Sequence, residues 1–151
     1  MVAYSNGGSL HQNLDGQTIA PNTGYLLQVA IDRRFDCCNG LPNMIPGIPD
    51  TPATMDIELR VGGHTGTLLA INTIDIRSIP LGRFVNYSAF YAGSAAPPAG
   101  AITIVLNTTG IEGLFDNVRL DSSPIPEPTT IAMAFGAIGL FWIRRTVGAR
   151  S

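Results

Sequence analysis

Lysine is missing from this chain: all nine basic side chains are arginines, and charged residues of either sign make up 13% of the sequence. Residues 1–121 carry ten acidic side chains against six arginines, a net of −4, whereas residues 122–151 set Glu127 against Arg144, Arg145 and Arg150, a net of +2. An acidic body excludes nucleic acid as a partner, because phosphate binding needs clustered Lys and Arg. Cysteine is nearly absent too. Cys37 and Cys38 are adjacent, and neighbouring cysteines bridge each other only with strain. Two loop thiols, a strained redox pair and an intermolecular bridge all stay open. No repeat of solenoid length is present.

Enzyme signatures are lacking as well. There is no G-x-S-x-G, no H-E-x-x-H and no P-loop. His11 and His64 stand apart in sequence without a Cys/His cluster, so no zinc site is expected. Asp56 and Glu58 share a strand face, about 7 Å apart at i and i+2. Paired carboxylates of that kind suit glycosidase chemistry. These two alternate with apolar residues, however, in the manner of a solvated face. The expectation is a body that is not an enzyme.

Short strands between Gly-, Pro- and Asn-rich turns fill residues 9–121. Ser9 to Leu14 reads as one. Gly24 to Asp32 is the clearest, with Tyr25, Leu27, Val29 and Ile31 on one face, the period of a half-buried strand. Met55 to Val61 alternates in the same way and, across Gly62–Gly66, would pair with Thr67 to Ile71 as a hairpin. Ile74 to Ile79 is a weaker candidate, Arg83 to Tyr91 an aromatic-rich one, and Ala101 to Asn107 and Leu114 to Asp121 close the series. Residues 36–55 hold four prolines and are expected to form a long loop. Seven or eight such strands predict an all-β, antiparallel sandwich over residues 1–121.

The last 30 residues differ. Residues 122–128 hold three alternating prolines and predict an extended linker. Residues 129–151 then predict a single apolar helix: Ile131 to Ile143 carries no charge, with Ile131, Phe135, Ile138, Leu140, Phe141 and Ile143 as its strongest apolar residues. Thirteen residues span about 20 Å against about 30 Å of hydrocarbon, a short span that Trp142 and the flanking arginines extend by snorkelling. Arg144 and Arg145 fix the orientation, with the basic end cytoplasmic and the body outside.

Pro126-Glu127-Pro128, the apolar run and Arg144-Arg145, in that order, resemble the PEP-CTERM sorting signal of bacteria. The resemblance implies recognition of the Pro-Glu-Pro by an exosortase, transient anchoring in the inner membrane and transfer to the cell surface. Met1 to Gly8 has neither the basic nor the apolar region of a secretory signal peptide. An exported protein then implies a true start upstream of Met1.

Phe115-Asp116-Asn117-Val118-Arg119-Leu120 resembles the closing strand of galactose-binding-like jelly rolls, and Ser9–Leu14 and Tyr25–Val29 resemble that fold's second and third strands. On this resemblance the first strand precedes Met1, and Asp116 is a candidate ligand of a structural calcium. The competing reading has Asp116 and Asn117 bonding to local backbone. No other cofactor is expected. The resemblance implies a fold common in carbohydrate-binding modules, for which Tyr87, Tyr91, Arg60 and Arg77 form a candidate ligand face. Tyr87 and Tyr91 stand at strand spacing, which equally suits a core. The functional expectation is an exported component of the cell surface or exopolysaccharide matrix; the alternative is a carbohydrate-binding module.

Overall fold

The computed structural model describes residues 2–33, 54–80, 82–109 and 112–126. Eight strands occur among them: β1 (Ala3–Asn6), β2 (Ser9–Thr18), β3 (Thr23–Arg33), β4 (Thr54–Val61), β5 (Thr67–Asp75), β6 (Val85–Tyr91), β7 (Ala101–Thr108) and β8 (Glu112–Pro124). They form two four-stranded antiparallel sheets in the orders β1-β8-β3-β6 and β2-β7-β4-β5. Only β4 and β5 are joined as a hairpin within one sheet; every other connection crosses between sheets. That strand order is a jelly roll.

The alternation read from the sequence sets which side chains meet. Tyr25, Leu27, Val29 and Ile31 of β3 point inward, and so do Met55, Ile57, Leu59 and Val61 of β4. With Ile102, Ile104 and Leu106 of β7 and Phe115 of β8 they form one continuous core. Each such side chain contributes roughly 1.5–3 kcal/mol when fully buried. Turns are tied to this frame by polar bonds. The Ala20 N–H donates to the Tyr25 hydroxyl at 2.9 Å, and the Asn22 N–H donates to the Ser94 carbonyl at 2.8 Å.

Three expectations change. A short strand, β1, stands ahead of Ser9 and pairs with β8 through Ala3↔Phe115 and Ser5↔Gly113, so a partner for β8 lies within the chain itself. The first residues of the expected linker, Ser122 to Pro124, are instead the end of β8, held by pairing with Thr23, Gly24 and Tyr25. Ile74 and Asp75 close β5, and Ile76–Ser78 form a 3-10 turn rather than a strand. Asp75 caps that turn by accepting the Arg77 N–H at 2.9 Å. Most of the expected long loop, with Cys37 and Cys38, lies outside the described residues, as do Glu127, Pro128, the apolar run and Arg144-Arg145. Among the described residues no helix is long and apolar enough to cross a membrane.

Candidate functional site on the second sheet

The outer face of β2-β7-β4-β5 carries the chemistry. Strand register sets three rows of outward side chains across it. One runs Ser9, Asn107, Asp56, Thr73; the next His11, Val105, Glu58, Ile71; the third Asn13, Thr103, Arg60, Leu68. A face of this composition is expected to be wet. Instead Glu58 is 8% exposed, Val105 4% and Thr103 0%.

The cover over Thr103 is the β4–β5 turn. The Gly62 N–H donates to the Ala101 carbonyl at 3.0 Å, and the Gly63 N–H donates to Thr103 Oγ1 at 3.2 Å. Positive φ at Gly62 (85°) and Gly63 (100°) directs the chain over the sheet, a conformation that favours glycine. Thr103 in turn donates to Asn13 Oδ1 at 2.9 Å, which links β7 to the edge strand β2.

Arg60 Nε is hydrogen-bonded and ion-paired to Glu58 Oε2, and its Nη1 donates to the Gly66 carbonyl at 2.8 Å. Glu58 is therefore neutralised where it lies buried. Asp56 differs. Its Oδ2 accepts a long bond from Asn107 Nδ2 at 3.4 Å, while its Oδ1 is buried with no partner. A buried carboxylate oxygen without a donor is costly, about 1–3 kcal/mol or more. It is the one such acceptor among the described residues; the other unpartnered buried atom is Arg33 Nε. Asp56 is thus held through one oxygen, while the other is covered and lacks a donor, an unmet acceptor of the kind found at functional sites. Leu68 and Ile71, both exposed, flank this face with apolar surface.

The residues singled out from the sequence scatter. Tyr87 and Tyr91 alternate with buried Ala89 on the inner side of β6 and pack against the core. Arg77 lies on the 3-10 turn, paired with Asp75. Only Arg60 is on the second sheet's outer face, so these four do not make a single ligand surface. Asp116 Oδ1 accepts the Asn117 N–H at 2.8 Å, and Asn117 has φ 47° opposite a register shift in β3. The Asp-Asn pair builds a bulge, the local backbone role. Among the described residues no three His, Cys, Asp or Glu side chains gather as a metal would need. Pro126 is exposed beyond the end of β8. Asn13, Thr103 and Asn107 were not foreseen; the polar Thr103 inside the apolar run Ile102 to Leu106 is the trace that marks them.

Fold and face together define a jelly-roll sandwich with a partly covered polar sheet face. The model of the HpiC1-like family, described as HpiC1 cyclase, matches residues 1–121. The chain belongs to that family. Its membership overturns the expectation of a body that is not an enzyme, since the family is one of cyclases. Among solved structures, the chain is similar to the Stig cyclase Fisc from Fischerella sp. TAU in complex with (3Z)-3-(1-methyl-2-pyrrolidinylidene)-3H-indole. The two are 25% identical with a TM-score of 0.58, over 83% of this chain and 65% of that one. A cyclase from Fischerella sp. TAU in complex with 4-(1H-indol-3-yl)butan-2-one gives the same identity, coverage and TM-score. This chain therefore spans 65% of the length of those cyclases. A CBM4 structure matches at 14% identity and a TM-score of 0.50 over 81% of this chain and 82% of that one, a likeness of fold alone. A search of curated proteins finds no match.

Proposed function

We propose that the outer face of β2-β7-β4-β5 binds a small planar substrate of the indole type and assists its ring closure, with Asp56 as the proton donor. The observation that carries this reading is the buried, unpartnered Oδ1 of Asp56. Ring closure by isomerisation needs a flexible substrate held folded, a proton delivered to the unsaturated side chain and a proton lost from the cation after the new C–C bond forms, so that the carboxyl ends protonated as it began. Asn107 orients the Asp56 carboxyl, and the Arg60 pair keeps Glu58 from competing for the substrate. Leu68 and Ile71 supply exposed apolar contact for a flat ring. Family membership supports the reaction class, and the indole ligands of the Fischerella cyclases support the substrate class.

The test offers the full chain an indole bearing an unsaturated side chain and separates isomers by chromatography, since ring closure leaves mass unchanged. Asp56→Asn is expected to slow closure about 10²–10⁴-fold, the usual worth of a positioned acid. Equal rates in wild type and variant would remove Asp56 from the mechanism. Retention on a polysaccharide column without ring closure would favour the carbohydrate-binding alternative.

The proposal extends to location: Pro126-Glu127-Pro128 and the apolar run export the domain through an exosortase. Deleting residues 126–151 is then expected to release the domain to the medium, and unchanged membrane association would remove this part.

A further inference from the structure

The β4–β5 turn is fastened across the sheet at its tip as well as its base. His64, in that turn, stacks on His11 of β2, with ring centroids 4.6 Å apart and planes inclined by 21°. β2 is an edge strand, and β7 lies between it and β4. The stack therefore reaches across β7, over the row that holds Thr103 and Asn13. The base of the turn is held by the Gly62 N–H on the Ala101 carbonyl and the Gly63 N–H on the Thr103 hydroxyl. Both histidines are exposed, so solvent protons reach them freely.

We propose that the His11–His64 stack is an acid-released latch that holds the Gly62–Gly66 turn closed over the Thr103 row of the candidate site's face. Neutral imidazoles stack without penalty, and a single proton leaves one cation against one π-face, which is attractive. Two protons place like charges a ring-width apart, and that repels. Histidine is the side chain whose charge change falls between pH 5 and 8 as a class, and that is the range over which the release is sought. The charged groups around the pair do not offset this. Glu58 on β4 is one strand beyond Val105, but Arg60 already neutralises it. β7 presents only Thr103 and Val105 here, and Asp15 of β2 lies two outward positions further along its strand. The glycines at 62 and 63 let the turn swing once the stack parts, which opens Thr103 to solvent. This inference rests on the same face being the site, yet the release can be read without any reaction.

Amide hydrogen exchange on the full chain, corrected for the intrinsic pH dependence of exchange, tests it at Gly63. The expected result is a loss of Gly63 protection of about threefold or more between pH 8 and pH 5, with no parallel loss at Leu59 in the core. His11→Gln and His64→Asn, both at exposed positions, are each expected to abolish that pH dependence. Protection at Gly63 that stays constant with pH in the wild type overturns the latch, and so does a pH dependence that persists in both variants. Ring closure that fails while the Gly63 response survives would instead count against the proposed reaction.

Discussion

The two outer faces of the sandwich carry the same local pattern in different surroundings. On β4, Glu58 and Arg60 stand two residues apart and pair; on β8, Arg119 and Asp121 do likewise at 2.9 Å. The side chains of the first pair are 10% and 21% exposed, and those of the second 54% and 59%. On β8 the pair lies in open solvent with Gln28 as a further partner of Arg119. On β4 the hairpin turn folds back and Arg60 also holds Gly66. An acid and an arginine at i and i+2 thus tell nothing about burial. The connection after the strand decides whether the pair stays wet.

The largest effect should come from breaking the covered pair. Arg60→Ala leaves Glu58 buried and alone, and we expect a loss of about 2–3 kcal/mol by urea denaturation, below the full penalty for a deeply buried pair because Arg60 is partly solvated. A loss under about 0.5 kcal/mol would make the two faces equivalent. Next, Asp56→Asn should raise stability by about 0.5–1 kcal/mol, since it removes a carboxylate whose buried oxygen lacks a donor; a drop would mean that Asp56 serves the fold. Arg119→Ala should stay within about 0.5 kcal/mol of wild type.

The smallest effect is expected at the end of β5. Arg77 donates from its side chain and backbone to Asp75 and holds that carboxyl down at about 2, from 3.8. A folded-state value below the unfolded one stabilises the protein above about pH 4 and is lost as pH falls toward 2. Asp75→Asn should therefore lower stability slightly at neutral pH, where the depressed carboxyl contributes, and flatten the acid limb, so that variant and wild type converge as pH falls toward 2. A neutral-pH shift as large as that of Arg60→Ala would contradict this ordering.

Much of the scaffold was legible from alternation. β3, β4 and β7 fall within a residue or so of where period two places them, because their inward faces are Ile, Leu, Val and Tyr at every second position. Ala3–Asn6 was missed: a four-residue strand is too short to show a period, and its pairing with β8 is long-range. The end of β8 was missed because prolines argue for a linker, yet Pro124 sits at a strand terminus where no donor is needed. The site was hardest to foresee. Asp56 and Glu58 share a face in the sequence, and there they look solvated. The path of the chain after Val61 buries Glu58 and Thr103, and period alone does not encode that path. The tyrosines failed as a ligand face for the opposite reason: their spacing was that of a core, and the core took them.

The β8 exit gives the module a polarity. Beyond Pro124, the Ile125 N–H donates to the Asn22 carbonyl at 2.7 Å, and Asn22 is bonded to Ser94 in the segment that leads into β7. Ala101, at the start of β7, is where the hairpin turn is fastened. The covering turn and the departing chain therefore share one pole, while Asp56 and Asp75 lie toward the other. A body tethered through its C-terminal segment would keep its covering turn on the tether side and its free carboxylate on the side away from it. Tether and traffic to the site would then interfere: a shorter tether would crowd the turn before it crowded the acid.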